Sequence, residues 1–526
     1  MDQKGKRLFI IAFIFILIFL GIAGYLIFSR QSSQLNPDFS DPNLFPFGDQ
    51  NNISQDLIPV ESTDDPFESA DIIFLGDPEY DNVRNRLRKI TSFPVSGFVS
   101  FLKPVLRQVS VFNEQTNTNQ QTTQTVSEHT IRYNDQRTGH FFEGVITDEN
   151  ILNKKITQTN LPSAEELIFN TSGTVGIIRY ELGNSIESFK INLPEPIIPP
   201  TYCIPHFTSA TIGSKGENVR NIQTFLKEQL KTTGNPDGSF GNGTATQVKT
   251  YQELNNLVID GIVDNETLLF MNTSCENIRS YYTELQNTPQ ETTGSSLSGF
   301  ITQLSRNITN NQIFSLLKNR EDSTVQGIIE NFNTNQRIQI FSSPFTEWLP
   351  QFVSNSMIAL TTYAAGNYEG YTYVLNPNST AFRKILGPIN GLTTLMSPDE
   401  TNILTSSWEN NQLVTRIVNI NNNQSTIVPF TTLSEKCTWY TADEIICGVP
   451  QALGTYVYPD TWYKGIARFA DSLQKYTLST GQVETLAVFP EAVDVFRIST
   501  DTKNEYVFFM DKNSYHLWSY RVGGID

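Results

Sequence analysis

Four cysteines fall as two pairs, Cys203 with Cys275 and Cys437 with Cys447, in a chain of 526 residues. Each pair could close a disulfide in an oxidising compartment, and neither spacing fits a zinc template. The four histidines, His129, His140, His206 and His516, are scattered, so a His/Cys metal centre has little material. No metal and no cofactor is expected. Acidic residues number 54 against 37 basic, a formal charge of -17, which argues against a binder of nucleic-acid backbones. A carboxylate pair for glycoside cleavage could assemble from so many acids, but residue type alone does not choose the two. No nucleophile elbow, H-E-x-x-H, P-loop or dinucleotide fingerprint is present. The aromatic residues Trp439, Tyr440, Tyr456, Tyr458, Trp462 and Tyr463 read as packing between sheets, with a sugar-lining surface as the alternative.

The elements that would hold such groups are mostly strands. Stretches such as "NILTSSWENNQLVTRIVNI", "EYVFFMDKNSYHLWSYRV" and "SMIALTTYAAGNYEGYTYVL" alternate apolar and polar residues between polar turns, the pattern of hairpins and meanders. A turn-then-strand unit recurs at Ser163-Ala164-Glu165, Ser397-Pro398-Asp399, Thr441-Ala442-Asp443 and Ser499-Thr500-Asp501. Side-chain oxygens in these units close a turn on their own backbone. Ser397 and Thr441 stand about one propeller blade apart. The fold expected is mainly β, a propeller of about six or seven blades, formed by residues 79–200 and 281–526. The short basic cluster Arg84, Arg86, Arg88 and Lys89 reads as a solvated helix face.

Between those two parts, residues 201–280 follow a different rule. A turn motif occurs twice, "DGSFGNGT" from Asp237 and "DGIVDNET" from Asp260. In each, Asp closes the turn, Gly (Gly238, Gly261) supplies positive φ, and an apolar residue (Phe240, Val263) points into a core. A small polar residue then starts a helix. Gly241 and Thr267 complete the two copies. "GENVRNIQTFLKEQL" places Val219, Ile222, Leu226 and Leu230 on one helical face, and "TATQVKTYQ" places Ala245, Val248 and Tyr251 likewise. A small three-helix unit inserted in the propeller follows, with Cys203 and Cys275 clamping its ends. Cys437 and Cys447 flank "TWYTADEII" and would staple a hairpin.

At the N-terminus, "LFIIAFIFILIFLGIAGYLIF" (8–28) has the length and apolar character of a bilayer-spanning helix. Lys4, Lys6 and Arg7 precede it, which places residues 1–7 in the cytoplasm and the remainder outside. Residues 29–78 are rich in Asn, Gln, Ser, Asp and Pro and read as a disordered polar stalk.

Three resemblances follow from these motifs. "SPDETNIL" is similar to the blade signature of WD-type and Tol-type β-propellers, with Glu400 in place of the usual glycine. "SPFTEW", "GLTTLMSPDE", "TLSEKCTW" and "YPDTWYKG" resemble uncharacterised membrane-anchored bacterial propeller proteins. The insert, from "IGSKGENVRNIQTFL" through "DGSFGNGTATQVKTYQ" to "DGIVDNETLLFM", resembles the peptidoglycan-binding domain often attached to cell-wall hydrolases. It departs from that pattern at Ile222 or Phe225, Gln247, Tyr251, Asn256 and Asp264. The resemblance implies a glycan ligand, for which Asn242, Thr244, Tyr251 and Gln252 could supply amide, hydroxyl and aromatic contacts. The expected protein is non-catalytic and bacterial, anchored in the cytoplasmic membrane. Its insert would contact peptidoglycan and its propeller an unknown envelope protein, with no nucleic acid. The alternatives are a cell-wall or polysaccharide-active enzyme with its site at the propeller mouth, and a structural interaction protein whose insert no longer binds glycan.

Overall fold

The computed structural model describes residues 86–523, apart from 114–117, 148–150, 183–184, 196–199, 204–206, 298, 308 and 320–322. The apolar run 8–28, the stalk 29–78, Arg84 and His206 lie outside the described residues. Among the described residues no helix is long and apolar enough to cross a membrane.

The strands make seven four-stranded antiparallel sheets. Six are consecutive meanders spanning 98–155 (blade 1), 166–296 (blade 2), 300–343 (blade 3), 348–390 (blade 4), 393–427 (blade 5) and 437–488 (blade 6). Blade 7 takes three strands from 495–521 and its outer strand, Leu87–Lys89, from the other end of the described chain, paired through Leu87↔Tyr520 and Lys89↔Trp518. The described part of the basic cluster expected on a helix is therefore not helical: Arg86 stands in a turn, and Arg88 and Lys89 are part of the strand. Backbone pairing holds that strand in place, with Lys89 reaching Glu491 (2.8 Å) and lying over the Trp518 ring.

The strand patterns match their place in a blade. Central strands are enclosed by neighbouring blades, so Tyr506–Asp511 is buried at every position. Outer strands such as Phe382–Asn390 are largely exposed or half-buried. The core lies between blades: Phe314, Leu316 and Ile340 of blade 3 pack with Trp348, Phe352 and Leu360 of blade 4, and Ile446 and Leu473 of blade 6 with Phe509 and Trp518 of blade 7. Each such side chain stabilises the fold by about 1.5–3 kcal/mol when fully buried. First strands of neighbouring blades lie side by side in the pairs 1–2, 2–3, 3–4 and 6–7, which sets them at the centre of the ring.

The turns carry the expected chemistry. Ser397 Oγ accepts from the Asn402 amide at 2.9 Å, and Asp501 Oδ1 accepts from the amides of Glu505 (2.7 Å) and Tyr506 (2.8 Å). Glu400, standing where glycine is usual, adopts φ 62°. Ser163 differs from the other three sites, because it lies in the connection entering blade 2 and not in a first hairpin turn. Cys437 and Cys447 face each other across a strand pair and are bonded, stapling the first hairpin of blade 6.

The ring closes where blade 7 meets blade 1. His129 lies between Asp501 (3.0 Å) and Glu505 (2.8 Å), and both carboxylates hold its imidazole above the usual histidine range. Lys103 and Arg132 of blade 1 share the buried Glu143, and Arg132 also donates to the carbonyls of Gly173 and Pro194 at 2.8 Å. Pro194 follows the third strand of blade 2, so blade 1 grips the chain where it leaves for the insert.

Candidate functional site

Where blades 1 and 3 to 6 have a short connection between third and fourth strands, blade 2 carries the whole insert, between Ser185–Asn192 and Thr293–Ser296. Three helices follow: α1 (Glu217–Leu230), α2 (Asn242–Leu254) and α3 (Asn265–Asn287). The last extends seven residues past the boundary at 280 read from the sequence. Their buried faces, with Phe225, Tyr251 and Met271 among them, join Phe207, Phe240 and Val263 of the connecting segments in a core separate from the propeller's. Cys203 and Cys275 are bonded within that core and join its entry to α3. Returning to the propeller, Gln290 pairs with the end of blade 1 through the Gln158 amide (2.8 Å) and the Ile156 carbonyl (3.0 Å).

The duplicated turns are built alike, each around one buried glutamine. Gln223 of α1 donates to Asp237 Oδ1 (2.8 Å), the Ser239 carbonyl (3.1 Å) and Thr244 Oγ1 (3.0 Å), and accepts from the Gly238 amide (2.8 Å). Gln252 of α2 repeats the set on Asp260 (2.8 Å), the Ile262 carbonyl (2.9 Å), Thr267 Oγ1 (3.1 Å) and the Gly261 amide (2.9 Å). Gly238 and Gly261 have φ 75° and 80°, the left-handed region where a side chain is strained. Three residues before each glutamine a cation packs over the glycine, Arg220 in the first copy and Lys249 in the second. Asp264 caps α3 by accepting from the Thr267 amide at 2.9 Å, a bond that lowers its carboxyl below the usual range. Asp237 is lowered by Gln223 and by the Ser239 amide.

Of the four residues expected to touch a glycan, only Asn242 is exposed, at the first position of α2. Thr244, Tyr251 and Gln252 are buried, and their polar atoms are engaged inside the module. Thr244 serves the first turn and Gln252 the second, while the Tyr251 ring packs edge-on to Phe225 at 5.5 Å. These three hold the module together, and the four do not form one surface groove. The turn residues Asp237, Gly238, Phe240, Gly241, Asp260, Gly261, Val263 and Thr267 occupy the turns and core positions read from the sequence. Gln223 was missed as a turn partner. Its signal was available: Val219-Arg220-x-Ile222-Gln223 repeats as Val248-Lys249-x-Tyr251-Gln252.

A second cluster lies on the propeller, at the opposite end of the strands from the insert's connection, because first-to-second and third-to-fourth turns share one end of a meander. It is made by 362–369, 428–437, 450–471 and 489–495 of blades 4 to 7. Lys436 is fully buried and pairs with Asp471 (2.7 Å) and Asp494, under the rings of Trp462 and Phe469. Trp462 Nε1 donates to Asp494 Oδ2 at 3.0 Å. Burial pushes the Asp471 carboxyl up to about 6 even beside Lys436. Next to this triad, Glu435 accepts from the Tyr463 hydroxyl, and burial raises its carboxyl above the usual range. Tyr463 packs at a tilt against Tyr363, ring centroids 5.2 Å apart, and Tyr363 is half-exposed. Of the aromatic residues singled out in the sequence, Trp439 is buried between blades 5 and 6, Tyr458 and Trp462 are buried within the 450–471 connection, and Tyr456 is exposed. Among the described residues, no three His, Cys, Asp or Glu side chains are grouped to hold a metal ion.

Residues 215–271 match the family described as "Putative peptidoglycan binding domain". The match begins two residues before α1 and ends within α3, so it covers both glutamine-locked turns. Among solved structures, the chain is similar to TolB from Acinetobacter baumannii, with 12% identity over 43% of this chain and a TM-score of 0.31. The similarity covers 56% of the length of TolB. An oligogalacturonate lyase from Vibrio parahaemolyticus matches 81% of this chain and 99% of its own length at 10% identity and a TM-score of 0.36. An oligogalacturonate lyase in complex with manganese matches over 82% and 99% at 8% identity and a TM-score of 0.38. At such identities and scores nothing about activity passes to this chain.

Proposed function

We propose that this seven-bladed propeller, with a peptidoglycan-binding-type module set into its second blade, is a non-catalytic bacterial envelope protein that contacts the cell wall. The module makes the contact, and the propeller presents a protein-binding face. The apolar run 8–28 would anchor the chain with its N-terminus in the cytoplasm, and residues 29–78 would carry the folded part away from the bilayer. The observation that carries the reading is the module itself. Both of its turns keep their glutamine, aspartate, glycine and threonine, and the chain is held to blade 1 on either side of it, by Arg132 on the Pro194 carbonyl and by the pairing of Gln290, while Cys203–Cys275 ties its entry to α3. A mount of that kind transmits a pull on the module to the propeller.

The test is co-sedimentation of the full chain with purified peptidoglycan sacculi. Its control is a chain in which 193–292 is replaced by the 332–336 turn of blade 3. Saturable pelleting by the full chain and none by the control supports the reading; equal pelleting by both would defeat it.

Glu435 favours a second reading, a polysaccharide-active site. A carboxyl raised above its usual range by burial, beside Tyr463 and the half-exposed Tyr363, has the character of a general acid next to a sugar platform. Release of reducing ends from wall polysaccharide, abolished by Glu435→Gln, would favour this reading over the first.

A further inference from the structure

We infer that the second turn of the module is a docking surface for a basic, amphipathic segment of a partner protein. Leu254, Val258, Ile259, Ile262, Leu269 and Phe270 are all exposed, from 40% for Ile262 and Phe270 to 68% for Leu254. They gather around one knot, since Gln252 bonds to the Ile262 carbonyl and to Thr267, and each lies within a few residues of 252, 262 or 267. Exposed apolar residues taken singly are ordinary; six around one hydrogen-bonded turn are not.

The first turn is an internal control for what the fold requires. With Asp237 set on Asp260, the enclosed positions correspond: Gly238 with Gly261, Phe240 with Val263, Thr244 with Thr267 and Val248 with Met271, all buried. The open positions differ. Asn235, Pro236, Ser239, Thr246 and Gln247 stand where the second copy has Val258, Ile259, Ile262, Leu269 and Phe270. Because the same turn is built with polar or small residues outside, the apolar ones in the second copy are not needed for folding.

Charge selects the occupant. From 253 to 270 the chain carries Glu253, Asp260, Asp264 and Glu266 and no Lys or Arg, and the nearby cation is Lys249 over Gly261. The equivalent stretch of the first copy, 230–247, has one of each sign, Lys231 and Asp237. An apolar patch with an acidic border repels anionic lipid headgroups and the carboxylates of wall peptides. A second copy of the chain would set these acids against themselves. A segment offering apolar side chains flanked by Lys or Arg satisfies both features. This surface is independent of the wall contact and does not rest on it.

The experiment uses the full chain and a fluorescent helical peptide of Leu and Lys, with a Leu/Glu peptide as control, at physiological salt. The variant I262S/L269T/F270Q installs the first copy's residues in the second, and E253K/E266K reverses exposed border charges without touching the core. Saturable binding of the Leu/Lys peptide that weakens at least tenfold in both variants, with sacculus pelleting unchanged, is the expected result. Nonspecific attraction to the acidic chain would not respond to I262S/L269T/F270Q, and unchanged binding there overturns the proposal. Three other results also overturn it. Dimerisation lost in that variant assigns the patch to a second copy, loss of pelleting assigns it to the wall, and weaker flotation of that variant than of the unchanged chain with phosphatidylcholine vesicles assigns it to lipid. Should the triple variant misfold, judged by hydrogen exchange of the module, E253K/E266K decides by comparison with E217K/E228K, which changes the net charge equally on exposed residues of α1 away from the patch.

Discussion

Replacing Gln252 with alanine removes a side chain that serves five polar groups at once: Asp260 Oδ1, the Ile262 carbonyl, Thr267 Oγ1 and the amides of Asp260 and Gly261. Each bond is worth about 0.5–1.5 kcal/mol net, and a buried amide left without an acceptor costs about 1–3 kcal/mol. Gly261 is buried, so its amide incurs that cost unless water enters the gap. The sum, discounted because the bonds share one side chain, is about 3 kcal/mol of module stability. That raises the open fraction of the module roughly 150-fold. The propeller has its own core and should not respond. All five tryptophans, at 348, 408, 439, 462 and 518, belong to it. Tryptophan fluorescence in urea therefore reads the propeller, while amide exchange followed by mass spectrometry across 207–287 reads the module. Gln223→Ala is the replicate, since it removes the same set from the first turn, and its effect should agree within about 1 kcal/mol. A loss below about 0.5 kcal/mol in either variant would refute the account of the turns. So would a matching shift of the tryptophan transition, because the module would then not be a separate cooperative unit.

Other consequences are open to measurement. His129 is raised above its unfolded value by Asp501 and Glu505, so its contribution to ring closure is complete below about pH 6.5 and is lost as pH rises through its folded value. The melting temperature should fall across that window, and His129→Gln should flatten the profile. Asp237 and Asp264 work in the opposite direction: lowered in the folded module, they contribute stability above about pH 4 that disappears as pH falls through their folded values, seen as faster exchange of the module in acid. Opening Cys203–Cys275, whose separation is 72 residues, should cost the module about 4 kcal/mol by chain entropy. Exchange under reducing conditions would read that loss. Lys436→Met strands Asp471 and Asp494 without their cation and should cost the propeller about 3–5 kcal/mol in urea unfolding.

The sequence by itself determined the kinds of element and the join between them. Alternation in stretches such as Gln412–Asn419 specified strands, because a strand in a blade must present apolar groups to its neighbours. The change to helical spacing at Val219, Ile222 and Leu226, with the two Asp-Gly turns, marked the module, because local backbone needs are written in local residue types. The Cys437–Cys447 pair was legible for the same reason, and Cys203 with Cys275 because they bracket the module. Only the tertiary structure decided what depends on residues far apart in the chain. Seven blades, and a ring closed by Leu87–Lys89 on Leu517–Arg521, follow from pairings that no local window contains. The insert's place between the third and fourth strands of blade 2 likewise depends on Asn192 meeting Thr293 across 100 intervening residues. Tyr251, Thr244 and Gln252 had suitable chemistry for a ligand, but packing turned them inward, because a small module needs its amides and hydroxyls to satisfy its own buried turns. The apolar side chains left outside Gln252 became visible as a surface only once burial had separated them from the core.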